Sequence, residues 1–370
     1  MKFTCYKNDL LEALQIVIRS VAVKPMTPIL SGIYMKADNR SLELQANNFN
    51  TGVIVKIPIN TEIEGEAVLT GKKFLEFIRN MPDETITLFG EDAANIFSIE
   101  SGGAHVDLLT MPAVEFPKVR TPDTFGNFRI SSTALKSLIR KTVFAVSKDD
   151  DRPVFKGCCF ELVGNQLTLV ATNTHRISIA KEFVRCDQDE HGSFVVPPET
   201  LRGLIQYFDP NDVENYVEVN FSDRFVTFKF DNIYLTSRVI EGEFPPYDRI
   251  IPSDAITRVE VNKIEFRTAV DFVALVARES EYHMVTFDIV PGHMEISADS
   301  PDVGEANKTI EADVMGDSVK ISFNVDYILD ALRTMDTQRT QICLNGRYDP
   351  ILIRERDNEN YSYVVTPVRA

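Results

Sequence analysis

Apolar and polar residues alternate with a period of two in three similar stretches: "SLELQANNFNTGVIVKI" (41–57), "QLTLVATNTHRISIAKEF" (166–183) and "HMEISADSPDVGEANKTI" (293–310). Each reads as a strand, then an alanine followed by polar residues, then a second strand. The shared alanines are Ala46, Ala171 and Ala298, a recurrence of about 125 residues, far beyond the period of a short-repeat array. The segments upstream agree as well. "KFTCYKNDLLEALQ" (2–15), "NFRISSTALKSLIR" (127–140) and "RVEVNKIEFRTAV" (258–270) each run from a short strand into a helix. Downstream, "KKFLEFIRNMP" (72–82), "PETLRGLIQYFDP" (198–210) and "NVDYILDALRTMD" (324–336) predict a second helix, and strand pairs follow each.

The helix predictions rest on spacing and punctuation. In 131–148 apolar residues fall at 135, 138, 139 and 146 with Thr142 between them, one face of a 3.6-residue helix. Ser131 or Ser132 can accept from a free N–H at its start. Pro82, Pro197 and Pro210 bound other helices. "VEVNFSDRFVTFKF" (217–230) alternates on both sides of "SDR", which predicts a hairpin. Each repeat is therefore strand–helix–strands, twice. The fold class is α+β: three repeated domains, each with two helices on an antiparallel sheet. The expected borders give domains 1–126, 127–252 and 253–370.

Charge changes this picture. The chain carries a formal −16, which argues against a nucleic-acid partner if the charge is spread evenly. It is not spread evenly. The six predicted helices together carry +6 and the remainder −22, which make up the −16. Basic helices on an acidic body suit a surface that follows a phosphate backbone without reading bases. The helices of 131–148 (+4) and 72–80 (+2) dominate, and the third repeat adds little.

Candidate chemistry is sparse. Five scattered cysteines, with Cys158 and Cys159 adjacent, suggest a reduced, cytoplasmic protein. Asp9 and Glu12 interrupt any signal-peptide core, and no apolar run reaches the ~20 residues of a membrane span. "GEAVLTGKK" (65–73) has five residues between its glycines and Lys73 where a phosphate loop has Ser or Thr. No HExxH, CxxC or G-x-S-x-G occurs, so neither a metal nor a cofactor is expected. "DDD" (149–151) reads as a solvated loop beyond a helix end. The adjacent His175 and Arg176 are the feature most open to a catalytic reading, an acidic hydrolase with His175 as proton shuttle.

Several motifs carry a likeness. "ATNTHR" (171–176), "LTSRVIEGEFPPYDRIIP" (235–252), "FNVDYILDAL" (323–332), "YVVTPVRA" (363–370), "TPILSGIYMKA" (27–37) and "MPAVEFPKV" (111–119) resemble the bacterial DNA polymerase III beta subunits, the sliding clamps. The resemblance spans the chain end to end. It implies a head-to-tail ring of two subunits enclosing duplex DNA, without sequence specificity, catalytic activity or cofactor. It also implies docking of polymerase, clamp loader and repair proteins through short peptides.

The same resemblance assigns residues. A hydrophobic cleft would be lined by Phe155, Thr172, Thr174, His175, Arg176, Ile177, Pro245, Arg249 and Ile250. Tyr327, Tyr348, Pro350, Val364, Val365, Thr366, Pro367, Val368 and Arg369 would complete it. Thr174 stands where the family often has glycine, and Thr366 and Val368 where some members have methionine, which implies a narrower, less adaptable cleft. Lys24, Lys73, Lys148 and Arg152 would meet DNA, with Arg202 and Tyr282. Arg140 joins them on helix position and charge alone. Glu199 replaces a base found in some relatives. The ring contact would join Val106 and Leu108 to the helix around Val276 and Ala277. His-Arg occurs only in the middle repeat, so a feature unique to that repeat, such as the cleft, explains it better than a structural need of the repeat.

Overall fold

The computed structural model describes residues 1–91, 95–119, 121–186, 191–208, 215–252, 255–356 and 358–368. Six helices form where the pattern places them: α1 (Lys7–Val17), α2 (Gly71–Asn80), α3 (Ser132–Thr142), α4 (Pro198–Leu204), α5 (Lys263–Ala277) and α6 (Val325–Thr334). Asn262 and Asn324 cap α5 and α6, each side chain accepting two N–H groups of the first turn. α3 is shorter than its apolar spacing predicts. The Thr142 hydroxyl donates back to the Leu138 carbonyl at 2.8 Å, and a single 3-10 turn follows before the chain extends at Val146. Lys148 therefore lies in a loop beyond the helix. Pro210 and Ser253, which mark an expected helix end and a domain border, lie outside the described residues.

The three alanines of the sequence repeat sit on equivalent strands, Ser41–Asn47, Gln166–Thr172 and Gly292–Ser300, all buried. Strands Thr51–Pro58, Arg176–Phe183 and Gly304–Met315 follow them and pair back antiparallel. The hairpin at 222–224 joins Tyr216–Phe221 to Phe225–Phe230.

By packing, the chain forms two compact units, Met1–Thr133 with Arg202–Val239, and Ala134–Leu201 with Ile240–Ala370. Each is organised by one continuous sheet, of 13 and 12 strands. The reason is strand pairing across repeat borders. Ile233–Arg238 of the middle repeat pairs with Thr51–Pro58 of the first. Arg176–Phe183 of the middle repeat pairs with Tyr361–Val365 of the third. In the first unit α1 packs on strands Ser41–Asn47 and Thr51–Pro58 and against α2; in the second, α5 packs on Gly292–Ser300 and Gly304–Met315 and against α6. Side chains such as Phe3, Leu10, Phe74, Phe266, Phe287 and Phe323 fill the buried layers. None of the described helices is long and apolar enough to cross a membrane.

Candidate functional site: a cleft, a basic loop set and two open strand edges

The second unit carries a cleft of about 330 Å³. Its wall begins with the "TNTH" turn. The Asn173 side chain accepts the backbone N–H groups of His175 and Arg176 at 3.3 and 3.1 Å, and the Thr172 hydroxyl donates to the Arg176 carbonyl at 2.7 Å. Closing this turn puts Thr174 at φ +72°, a left-handed conformation that a β-branched residue adopts only under strain. Glycine is free of that strain, so Thr174→Gly is expected to raise stability by up to about 1 kcal/mol, read as a higher urea midpoint. An unchanged or lower midpoint counts against strain at this turn.

Ten residues assigned to the cleft by resemblance line it: Phe155, Thr172, Thr174, His175, Arg176, Ile177, Pro245, Ile250, Val364 and Thr366. Phe244, Pro246 and Tyr247 line it too and were missed, although the "FPPY" run that contains them was in view. Phe244 meets Phe155 edge to face with centroids 5.7 Å apart. Tyr247 is anchored by a 2.5 Å bond from its hydroxyl to Glu161, and burial followed by that carboxylate pushes its pKa up. Behind the cleft, Val154, Val170, Ile179, Val195 and Leu352 form the apolar core on which its walls rest. The tail joins through its backbone and hydroxyl, as Thr366 N–H and Oγ1 both donate to the His175 carbonyl, at 2.9 and 3.0 Å.

Other assigned residues fall elsewhere. Val365 is fully buried in the strand ladder, opposite Arg176 and Ile351, so it presents no side chain to a ligand. Tyr327 supports the cleft from behind, its ring stacked on His175 at 6.4 Å. Arg249, Tyr348, Pro350, Pro367 and Val368 lie outside the cavity, Tyr348 beneath the Arg347 guanidinium and Val368 bonded to Ser322 through its backbone. Arg369 lies outside the described residues.

Arg176 is a scaffold element more than an open peptide-binding cation. It is 8% exposed. It donates to Asp330 at 2.7 Å and to the Phe144 carbonyl at 2.9 Å, and its guanidinium lies over the Tyr327 and Phe144 rings. His175 is exposed, and among the described residues no group of three or more His, Cys, Asp or Glu side chains could hold a metal. Nucleophilic cysteine chemistry is disfavoured as well: burial pushes Cys5 and Cys158 up to about 12 and Cys159 up to about 11.

The basic residues are less available than charge counting predicts. Lys141, counted on the basic face, is buried and paired at 3.2 Å with Glu355, itself 1% exposed. Arg140 donates from Nη2 to both carboxylate oxygens of Asp336, at 2.6 and 2.8 Å. Burial alone would raise the Asp336 pKa, but Arg140 and Lys141 hold it below the usual carboxylate range. Arg152, assigned to DNA, lines the cleft, bonded to Asp150 and lying 4.0 Å above the Phe155 ring. Lys73 pairs with Glu76 at 3.0 Å. Lys24 and Lys148 are exposed in loops and have no ion pair among the described residues. Lys24 sits at φ +54° between exposed Val23 and Met26. Arg202 is exposed, as is Tyr282, in the loop after α5.

Besides the end strands of each sheet, two inner strands are open along part of one side among the described residues. Strand Ala104–Met111 pairs along 104–109 with Ile96–Ser101 on one side, but on the other only at 110 and 111. Strand Gly304–Met315 pairs along 304–312 with Gly292–Ser300, but on its other side only at 313–315. Val106 and Leu108 are half-buried on the first of these strands. Ala277 requires correction: it is fully buried against its own domain and cannot present a contact surface. On α5, Ile264 is exposed in the first turn, and Phe272 and Leu275 are exposed further along, at 50% and 69%, with Val276 half-buried. The i, i+3, i+4 spacing of 272, 275 and 276 was legible in the sequence as a second apolar stripe on α5.

A three-repeat α+β chain with a hydrophobic cleft and two partly open inner strands, and with no metal-binding cluster among its described residues, has the build of a DNA sliding clamp. Comparison agrees along the whole length. Residues 1–120, 129–246 and 248–369 match the N-terminal, central and C-terminal domain families of the DNA polymerase III beta subunit, and the chain belongs to that family. The "Beta sliding clamp" of Bacillus subtilis strain 168 is 30% identical over 379 residues, covering both chains completely. A crystal structure of the DNA polymerase sliding clamp from Bacillus subtilis superposes with a TM-score of 0.96 at 30% identity, covering 100% of this chain and 99% of that one. The beta subunit structure from Thermotoga maritima gives 0.90 at 27% identity, with 100% and 99% covered. The protein is thus a non-catalytic processivity factor, and the hydrolase reading of His175 is withdrawn because neither the family nor the geometry supports it.

Proposed function

We propose that two copies of this chain close head-to-tail into a ring, the open edge at 104–109 of one meeting the open edge at 304–312 of the other. The two edges are different surfaces, one near each end of the chain. Two equivalent head-to-tail contacts then close a two-fold ring and cover these two partly open strands. Phe272 and Leu275, with Val106 and Leu108, supply the apolar part of the contact. The observation that carries the reading is the pair of unsatisfied edges on a chain that matches the clamp family in all three domains. We read the domain borders near 126, in the gap between the first two family matches, and near 252, a few residues inside the third match, which begins at 248.

The ring encircles duplex DNA in the cytoplasm and is held by topology instead of affinity. Lys24 and Lys148, the unpaired loop lysines, make the main phosphate contacts, with Lys73, Arg202 and Tyr282 beside them. Arg140 contributes only if it leaves Asp336. The cleft of the second unit takes short peptides of the replicative polymerase, the loader and repair proteins, its apolar walls giving affinity and Thr172, Thr174, His175 and Arg152 fixing orientation.

Loading onto nicked circular DNA by a loader with ATP tests the reading: the clamp is retained on the circle and lost on linearisation. Equal retention on both forms overturns it. Lys24→Ala with Lys148→Ala is expected to lower the salt dependence of DNA binding by about two counterions, roughly one per phosphate contact. An unchanged slope moves the contact to other residues.

A further inference from the structure

The first unit repeats the architecture of the cleft at a place to which none of the assigned residues belongs. The "NNFN" turn is built like "TNTH". Asn48 Oδ1 accepts the N–H groups of Asn50 and Thr51 at 3.0 and 2.8 Å, as Asn173 does for His175 and Arg176. Asn48 N–H donates to the Thr51 carbonyl at 3.1 Å, and Asn173 N–H to the Arg176 carbonyl at 3.2 Å. Phe49 takes the place of Thr174, with the same left-handed backbone (φ +70° against +72°). Strand Ile233–Arg238 stands beside Thr51–Pro58 as Tyr361–Val365 stands beside Arg176–Phe183. The segment 112–119 covers one side as 244–250 does in the second unit.

The result is a groove of about 870 Å³, larger than the cleft of the second unit. Its walls are apolar, formed by Phe49, Val114 and Phe116. Phe49 and Val114 are left exposed, although a left-handed position is costly for a bulky aromatic. At the rim Arg238 is held in place from two sides: Nε donates to the Phe49 carbonyl at 2.9 Å, and the guanidinium lies over the Phe225 ring at 5.6 Å. Among the described residues no carboxylate pairs with it. The other groove cation among the described residues, Lys118, is already bound to Glu66 at 3.1 Å, and Asp123 lines the groove with no ion pair among those residues.

We propose that this groove is a second peptide-docking site, for a short segment that presents a carboxylate beside an aromatic or large aliphatic side chain. A guanidinium already fixed by its Nε offers its remaining N–H fork to a planar carboxylate, and pre-organisation lowers the entropy lost on binding. The adjoining walls of Phe49 and Val114 bury the neighbouring side chain. The site is independent of the cleft in the second unit, so each can fail without the other.

The probe is N-acetyl-leucyl-phenylalanine with a free carboxylate, titrated into methyl-labelled full-length protein and compared with its C-terminal amide. The expected result is a shift of the Val114 and Val119 methyl signals, with the acid binding about tenfold more tightly than the amide. In Arg238→Gln that preference disappears while binding of the amide stays the same. Phe49→Gly, tolerated at φ +70°, weakens acid and amide alike. Shifts confined to Ile177 and Val364 of the second unit, or an acid preference that survives Arg238→Gln, overturn the proposal. Signals and urea midpoints of the free variants show that each is folded.

Discussion

Lys141→Met is expected to destabilise the protein by about 3 kcal/mol or more, which places this single lysine among the most sensitive positions of the second unit. The ammonium lies between Glu355 at 3.2 Å and Asp336 at 3.3 Å, and 5.2 Å from the centre of the Tyr361 ring. Removing it leaves the Glu355 carboxylate buried with, among the described residues, the Asp336 N–H and the Asn358 amide as the donors to its side chain. An uncompensated buried charge costs far more than the pair itself contributes, so Lys141→Met with Glu355→Gln is expected to recover most of the loss. Urea denaturation at pH 7 separates the cases: a loss below about 1 kcal/mol in the single variant, the range of surface pairs, shows that water reaches Glu355. The same pairing explains why triple neutralisation of Arg140, Lys141 and Lys148 is a poor test of DNA contact. Any loss of loading in that variant includes a folding defect.

Phe272→Arg combined with Leu275→Asp is expected to convert the ring to monomers at micromolar concentration. Both side chains are exposed on α5 while its opposite face is buried. Central apolar anchors cost about 2 kcal/mol or more each on loss, and buried unpaired charges add to that. In the proposed ring two such contacts hold the dimer, so the effect counts twice. Sedimentation velocity reads the outcome, and a persistent dimer of the double variant moves the contact away from α5. Stability of the monomer should change little, because neither side chain belongs to the core.

The elements were legible because each is short, amphipathic and punctuated. The places of the six helices described and of the strand pairs around the alanines follow from spacing and punctuation, and the hairpin follows from "SDR". The middle repeat's division was not legible. Alternation tells which face of Arg176–Phe183 is buried but not which strand lies beside it, and that strand is nearly 190 residues away. The cleft was partly legible, because the residues of the "THR" turn and the "FPP" segment carry its shape locally. The place of Arg152 beside the cleft was not legible because charge is visible in a sequence while its partner is not: Asp150 and the Phe155 ring hold it there. Ala277 was misplaced for a similar reason, since on α5 one residue's shift is about 100° of rotation, the difference between core and surface.

The continuity of the two sheets across the repeat borders separates the unit of sequence from the unit of folding. A middle repeat cut out at 127–252 would expose the long edges of Arg176–Phe183 and Ile233–Arg238, each of which is paired in the whole chain to a different repeat. Such edges recruit other strands, so the excised piece would aggregate before it behaved as a domain. Duplication could thus have copied a segment that was never autonomous, and selection acts on the chain through borders that no single repeat contains. A substitution in a middle-repeat edge strand is correspondingly a substitution in its neighbour's sheet.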